Sequence, residues 1–239
     1  MAHRPKLQER ARAPSLAELD GIPWLRVLDD DDRREAEAHL QVSAAEPGDR
    51  ICRVGRPSTY WFGVISGLLK MSNDSASGAQ ITYTGVPPGA WFGEGTLLKR
   101  EVYRYNIEAL RRSTVAGLPK EVFEQLLDRS IPFNRFVMNQ INERLGQFIA
   151  AREIDRHSHP DARVARNLAA LFHPVLYPGV GDVLRITQQE LGYLVGLSRQ
   201  RVNEALSALQ SERLIRIDYG GVRVLDLERL RRYAPSEQG

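Results

Sequence analysis

Arg199, Gln200, Asn203 and Glu204 fall close together on or near one face of a helical repeat. Their chemistry is hydrogen bonding rather than bond making. An arginine fork matches O6 and N7 of guanine, a glutamine amide pairs with adenine, and a glutamate accepts from cytosine N4 in the major groove. An arginine-led set of this kind at the start of a helix is equipped to read double-stranded DNA, with Arg199, Gln200 and Glu204 as the candidate base-reading side chains. No catalytic residue and no metal set are indicated.

The elements that must position these residues are written around them. Thr187 and Glu190 have the spacing of a capping box, which opens a helix near Gln188. Leu191, Leu194 and Val195 give it one apolar face, and Gly196 supplies the freedom for a sharp turn. Ser198 offers a second N-cap. The next helix buries Val202, Ala205, Leu206 and Leu209, which turns the polar set outward. Two β-prone runs, Leu214 to Ile217 and Val222 to Leu225, follow around the turn Asp218-Tyr219-Gly220-Gly221. The pattern predicts a winged helix-turn-helix. A helix, glycine turn and helix also pack in ordinary helical domains, and the wing and the arginine-led second helix distinguish this stretch from them.

Ile186, Thr187, Glu190, Leu191, Gly192, Val195, Gly196, Ser198, Arg199, Gln200 and Val202 together resemble the DNA-reading segment of the Crp/Fnr superfamily of transcription regulators. The resemblance implies base contacts from Arg199, Gln200 and Glu204, and phosphate contacts from Thr187 and Gln189. Glu204 departs from the best-known activator of that family, which has an arginine there.

The rest of the chain sets bounds. At 239 residues and 42% hydrophobic there is room for two modest domains. A net charge of +3 does not itself indicate nucleic acid. No apolar run reaches membrane-spanning length and the N-terminus lacks a secretory core, so the expected location is cytoplasmic with no membrane partner. The single cysteine, Cys52, excludes an intrachain disulfide and a four-cysteine iron–sulfur cluster, and its strand-like surroundings predict a buried, inert thiol.

From Gly48 to Ala116 short β runs alternate with turn residues: Arg50 to Val54, Tyr60 to Met71, Gln80 to Val86 and Tyr103 to Leu110. They predict an antiparallel β-barrel or jelly roll, similar to the cyclic-nucleotide-binding-like effector domain of Crp/Fnr proteins. The resemblance places a phosphate-binding cassette at Phe92, Gly93, Glu94 and Gly95. Counting forward from Glu94 puts its arginine at Arg104, followed by Tyr105. Counting back from Ala109 puts that position at Tyr103, and a one-residue slip turns a side chain to the other face of a strand. Phe148 and Ile149 stand where cyclic-AMP sensors carry a Thr-Ser pair, and apolar groups cannot supply those hydrogen bonds. Gly93, Glu94, Gly95, Arg104, Tyr105 and Phe148 are therefore candidates for a small effector, with a cyclic nucleotide not favoured and no cofactor indicated. An ordinary ion pair between Glu94 and Arg104 at the barrel rim is the alternative.

Leu25 to Leu40 reads as a helix with Asp29 to Asp32 capping its start. A longer helix follows Pro132 to about Ile154, with a stripe of Val137, Ile141, Leu145, Phe148 and Ile149 whose spacing suits pairing with a second copy. Asp155 to Asp161 reads as a hinge, and its His157 and His159 as linker residues rather than metal ligands.

The expected fold is α+β, with a tail over 1–20, a sensing barrel over 21–130, a dimerisation helix over 131–156 and the winged helix-turn-helix over 157–239. The partners expected are double-stranded DNA and a second copy, with RNA polymerase as a further candidate. Two other readings stand beside this one. The barrel is a scaffold that senses nothing, or it is a cupin-like metal enzyme, a reading for which His3, His39, His157, His159 and His173 all fall outside the strand runs.

Overall fold

A computed structural model of the chain describes residues 10–74, 80–155 and 159–234, and of 151–155 the backbone alone. Within the segment expected to be a tail, Arg10 pairs with Asp49 at 2.9 Å and Arg12 exchanges backbone hydrogen bonds of 2.9 and 2.8 Å with Val42. Helix α1 (Leu16–Asp20) then opens on a capping box between Ser15 and Glu18. Residues 1–9 lie outside the described residues.

The single helix expected over Leu25 to Leu40 is two pieces. A 3-10 turn (Pro23–Val27) buries Trp24 and Leu25, and α2 (Asp30–His39) begins afresh because the Asp29 side chain accepts from the Asp32 N–H at 2.8 Å. A side chain that caps a helix marks its boundary.

Among the described residues the barrel is a pair of antiparallel four-stranded sheets. Its elements in chain order are β1 (Gln41–Ala45), β2 (Arg50–Cys52), β3 (Tyr60–Ser66), β4 (Leu69–Asp74), β5 (Gln80–Val86), β6 (Trp91–Phe92), α3 (Glu94–Leu98), β7 (Asn106–Ala109) and β8 (Ser113–Pro119). The sheets run β1-β8-β3-β6 and β2-β7-β4-β5. The run expected as one strand from Tyr60 to Met71 breaks at Gly67, whose φ of +103° and whose approach to Ser113 leave no place for a side chain. Between the sheets lie Cys52, Val64, Leu69, Met71, Phe92, Ile107 and Val115. Burial pushes the Cys52 thiol up to about 12, which keeps it protonated and unreactive.

On the outer face of the other sheet Trp24, Trp61, Trp91, Phe123 and Phe133 form an aromatic cluster, with Trp61 and Trp91 centred 4.5 Å apart. This cluster clamps α4 (Lys120–Arg129) and the start of α5 (Ile131–Asp155) to the barrel. Helix α5, at 25 residues, extends about 37 Å at 1.5 Å per residue.

The C-terminal part packs a second core, which also takes in Leu68 of the barrel, from α6 (Pro160–Ala170), β9 (Val183–Leu184), α7 (Gln188–Val195), α8 (Arg199–Ser211), β10 (Ile215–Asp218), β11 (Gly221–Val224) and α9 (Leu227–Arg231). Its three strands form one sheet in the order β10-β11-β9. The segment between α6 and β9 fastens this head to the barrel. Leu176 and Tyr177 enter the barrel core, the Tyr177 hydroxyl donates to Gln147 at 3.0 Å, and Gln140 donates to the Val175 carbonyl at 2.9 Å.

Candidate nucleic-acid interface and effector pocket

The capping box expected at Thr187 and Glu190 is formed on both sides. The Glu190 N–H donates to the Thr187 hydroxyl at 3.1 Å, and the Thr187 N–H and hydroxyl donate to Glu190 Oε2 at 2.8 and 3.0 Å. Gly196 ends α7 in the left-handed region at φ +67°, and the Ser198 hydroxyl accepts from the Arg201 N–H at 3.2 Å to start α8. These two caps set the angle at which α8 leaves the turn.

Val202, Ala205, Leu206 and Leu209 of α8 are buried, and Arg199, Gln200, Asn203 and Glu204 are exposed. The outward set is linked: Gln188 donates to Asn203 at 2.7 Å, Arg199 donates to Gln188 at 3.5 Å, and Gln200 donates to Glu204 at 3.2 Å. Arg201 pairs with Asp161 at 2.5 Å and reaches Glu204 at 3.6 Å, which ties this face to the start of α6. The expected base-reading residues thus share one exposed surface, and Gln188 joins them as a residue the sequence pattern did not single out.

Of the two phosphate candidates, Thr187 gives both its donors to Glu190. Gln189 is exposed and makes no side-chain hydrogen bond among the described residues, so its amide donors are available to a phosphate. The wing lies beside them. A groove of about 480 Å3 runs between Thr187, Gln188, Gln189 and Arg199 on one side and Ile217, Asp218, Gly220 and Gly221 of the hairpin on the other. Asp218 faces this groove with its charge matched: Arg216 first, and Arg223, hold its carboxyl below the usual range.

In the barrel, Gly93 (φ +100°) leads into α3 and aims Glu94 inward, where its side chain is almost wholly buried. Its partner is not Arg104. Arg144 of α5 donates to Glu94 at 3.0 Å and to the Trp91 carbonyl at 2.6 Å. Burial works against the Arg144 charge, but Glu94 together with Tyr177 and Tyr105 outweighs it, so the guanidinium titrates above its ordinary value. Arg104 points outward, 76% exposed, and pairs with Glu101 at 2.8 Å. The rim ion pair weighed between Glu94 and Arg104 is therefore corrected to Glu94–Arg144, because the backbone bends at Arg104 and Tyr105 before β7 begins at Asn106. Tyr103 and Tyr105 take the inward positions on either side, and burial pushes both phenols up.

Glu94, Gly93, Gly95, Tyr105 and Phe148 line one cavity of about 1040 Å3, with Arg104 at its mouth. Its far wall belongs to the C-terminal head, through Arg163, Asn167, Tyr193, Leu194, Val195 and Gly196.

Two families match the chain. The cyclic nucleotide-binding domain family covers residues 43–130, and the Crp-like helix-turn-helix domain family covers residues 162–233. The chain belongs to the Crp/Fnr family.

Relatives of this Crp/Fnr protein include the cyclic AMP receptor protein of Thermus thermophilus, 28% identical over 206 residues that span 86% of this chain and 94% of the relative. The transcriptional regulator SdrP of the same organism is 29% identical over 185 residues, 75% of this chain and 86% of the relative. The solved structure of FixK2 from Bradyrhizobium japonicum shares the fold, with a TM-score of 0.64 at 16% identity over 82% of this chain and 99% of that one.

A cyclic nucleotide-binding domain implies a cyclic nucleotide, and the residues present here do not fit one. The Glu94 half of the cassette is kept, but the guanidinium expected at position 104 is outside and paired. The buried guanidinium is already matched by Glu94, and Phe148 and Ile149 offer a purine no hydrogen bond.

Along α5 of this family member the apolar stripe divides. Val137 was expected at a seam with a second copy, but it is 1% exposed and packs in the aromatic core of its own barrel. Ile141, Leu145, Phe148 and Ile149 are exposed, and so is Met138 at 61%, which takes the place of Val137 at the start of the stripe. His157 lies outside the described residues, and His159 caps α6 by accepting from the Asp161 N–H at 3.3 Å. Among the described residues no group of His, Cys, Asp or Glu is arranged to hold a metal ion, and no helix is long and apolar enough to cross a membrane.

Proposed function

We propose that this protein is a cytoplasmic regulator of transcription, not an enzyme, that binds a pseudo-palindromic DNA site as a homodimer. Arg199, Gln200 and Glu204 read base edges in the major groove. Gln189 holds phosphate through its side chain, and Thr187 contributes by fixing the helix that carries it. The observation that carries this reading is the linked, exposed polar face of α8, set between two capped helix starts and flanked by the wing.

The second copy pairs along Met138, Ile141, Leu145, Phe148 and Ile149 of α5, at a spacing of three and four residues that suits a two-stranded seam. Two-fold symmetry then places the half-sites about one helical turn, ~34 Å, apart. Gly196, at the turn before the reading helix, lines the same cavity as Glu94, which supports effector control of that helix. RNA polymerase is the further partner such a regulator would meet at a promoter.

Selection of binding sites from a random duplex pool at about 150 mM salt, where non-specific affinity is weak, tests the proposal. The expected product is a two-fold symmetric sequence with that spacing. Enrichment of an asymmetric single site would refute the dimer, and no enrichment either without or with a small molecule bound in the cavity would refute sequence-specific binding.

A further inference from the structure

The cavity asks for a different ligand from the one its fold implies. Its lining is largely apolar and aromatic, with Phe92 and Leu194 buried in its wall and Ile81, Tyr83, Leu145 and Phe148 exposed around its opening. Two charged groups stand in the buried part, Glu94 and Arg144, and they face each other at 3.0 Å, so the cation that would hold a phosphate is already compensated. The other cations are at the edges. Lys99 and Arg104 are 67% and 76% exposed, both beside Glu101. Arg163 donates to the Val195 carbonyl that ends α7.

One polar atom in the cavity wall is left unanswered. Glu94 Oε1 takes the Arg144 bond, while Glu94 Oε2 is buried and has no hydrogen-bond partner. A buried carboxylate oxygen without a donor is costly, and a group that supplies the donor recovers that free energy.

We propose that the barrel cavity takes an uncharged, largely apolar ligand that donates an O–H or N–H to Glu94 Oε2, in place of a cyclic nucleotide. This rests on the reading that the barrel holds an effector. The recognition is by donor and apolar body together, because the paired Arg144 disfavours a second cation and the absence of a free buried cation disfavours an anion.

Two probes differing in one group test this: 2-naphthol, which carries a hydroxyl donor, and 2-methoxynaphthalene, which has the same rings and no donor. Binding is followed by fluorescence on the full-length protein, with cyclic AMP as the third probe. The expected result is 2-naphthol bound at least tenfold more tightly than the methoxy compound and not displaced by cyclic AMP. Glu94→Gln keeps the shape and the acceptor for Arg144 but turns an amide donor to the cavity, so the preference should fall to near one. Ile81→Asp places a charge on the apolar lining away from α5 and should weaken both naphthalenes alike.

Equal binding of the two naphthalenes, no binding of either, or displacement by cyclic AMP would overturn the inference. The DNA selection does not depend on which probe binds, so the two readings fail separately. A palindrome recovered with no naphthol preference sinks only the ligand class, whereas a naphthol preference with no enriched DNA, without or with the probe, leaves the ligand class standing and sinks the regulator reading.

Discussion

Gln189→Ala should weaken binding to every DNA sequence by a similar factor and lower the salt dependence slightly, because a phosphate contact positions the protein without reading bases. Titration of a selected site and a scrambled site at two salt concentrations checks this, and a loss confined to the selected site would reassign Gln189 to base reading. At this scale the capped helix α8 and its exposed polar face are legible in the sequence. Arg199, Gln200 and Glu204 are local to one helix, and the residues that cap and bury that helix lie within a few positions of them. The effector pocket was legible only in part. Glu94 was found, but its partner Arg144 is brought to it from a distant helix, and spacing within the cassette carries no information about that. The one signal available was an arginine a single turn before Phe148, in a stripe otherwise apolar. Arg104 was misplaced because a bend before β7 defeats counting along a strand.

Helix α5 carries the clearest prediction among the elements. A charge at the middle of the exposed stripe has no water on the far side once two copies pair, so Leu145→Asp should convert a dimer to a monomer. Sedimentation velocity reads the change, and Met138→Asp at the other end of the stripe should act in the same direction. A Leu145→Asp protein that remains dimeric would place the interface elsewhere. The length of α5 and its apolar stripe are legible from periodicity, but apolar residues lie on more than one face of the helix and the pattern does not say which face is whose. Val137 looked like a seam residue because the stripe continues through it, and it is covered instead by Trp24, Phe133 and their neighbours, which come from other parts of the chain. The capping function of Asp29 likewise divides a stretch that periodicity reads as one helix, and β1 and β8 went unread because their alternation is broken by buried serines and glycine.

The whole molecule is held in one arrangement by contacts that no local pattern displays. Arg111 at the barrel edge pairs with Glu190 of the capping box at 3.0 Å and donates to the Arg185 carbonyl at 2.5 Å. Lys70 lies over the Tyr193 ring at 5.9 Å, and a side chain at Gly85 would meet Leu194 and Leu171 at 2.8 and 2.9 Å. On the other side His173 faces Glu143 at 3.2 Å and accepts from the Val175 and Leu176 N–H groups. Burial lowers the His173 pKa from its ordinary value, and Glu143 only partly opposes this. A lowered imidazole binds its proton more readily in the unfolded chain, so its stabilising effect is complete above about pH 6.5 and is lost as pH falls through the folded value. The thermal midpoint should therefore drop on acidification below pH 6.5, and His173→Gln should flatten that dependence. An unchanged pH profile in the variant would assign the sensitivity to other groups.

Whether α8 reads bases is decided by site selection repeated with Arg199→Ala. Loss of one good base contact costs about 1 to 3 kcal/mol. The account predicts that one base position in each half-site loses its preference while the others keep theirs. A uniform loss of preference across every position, or an unchanged site, would contradict it.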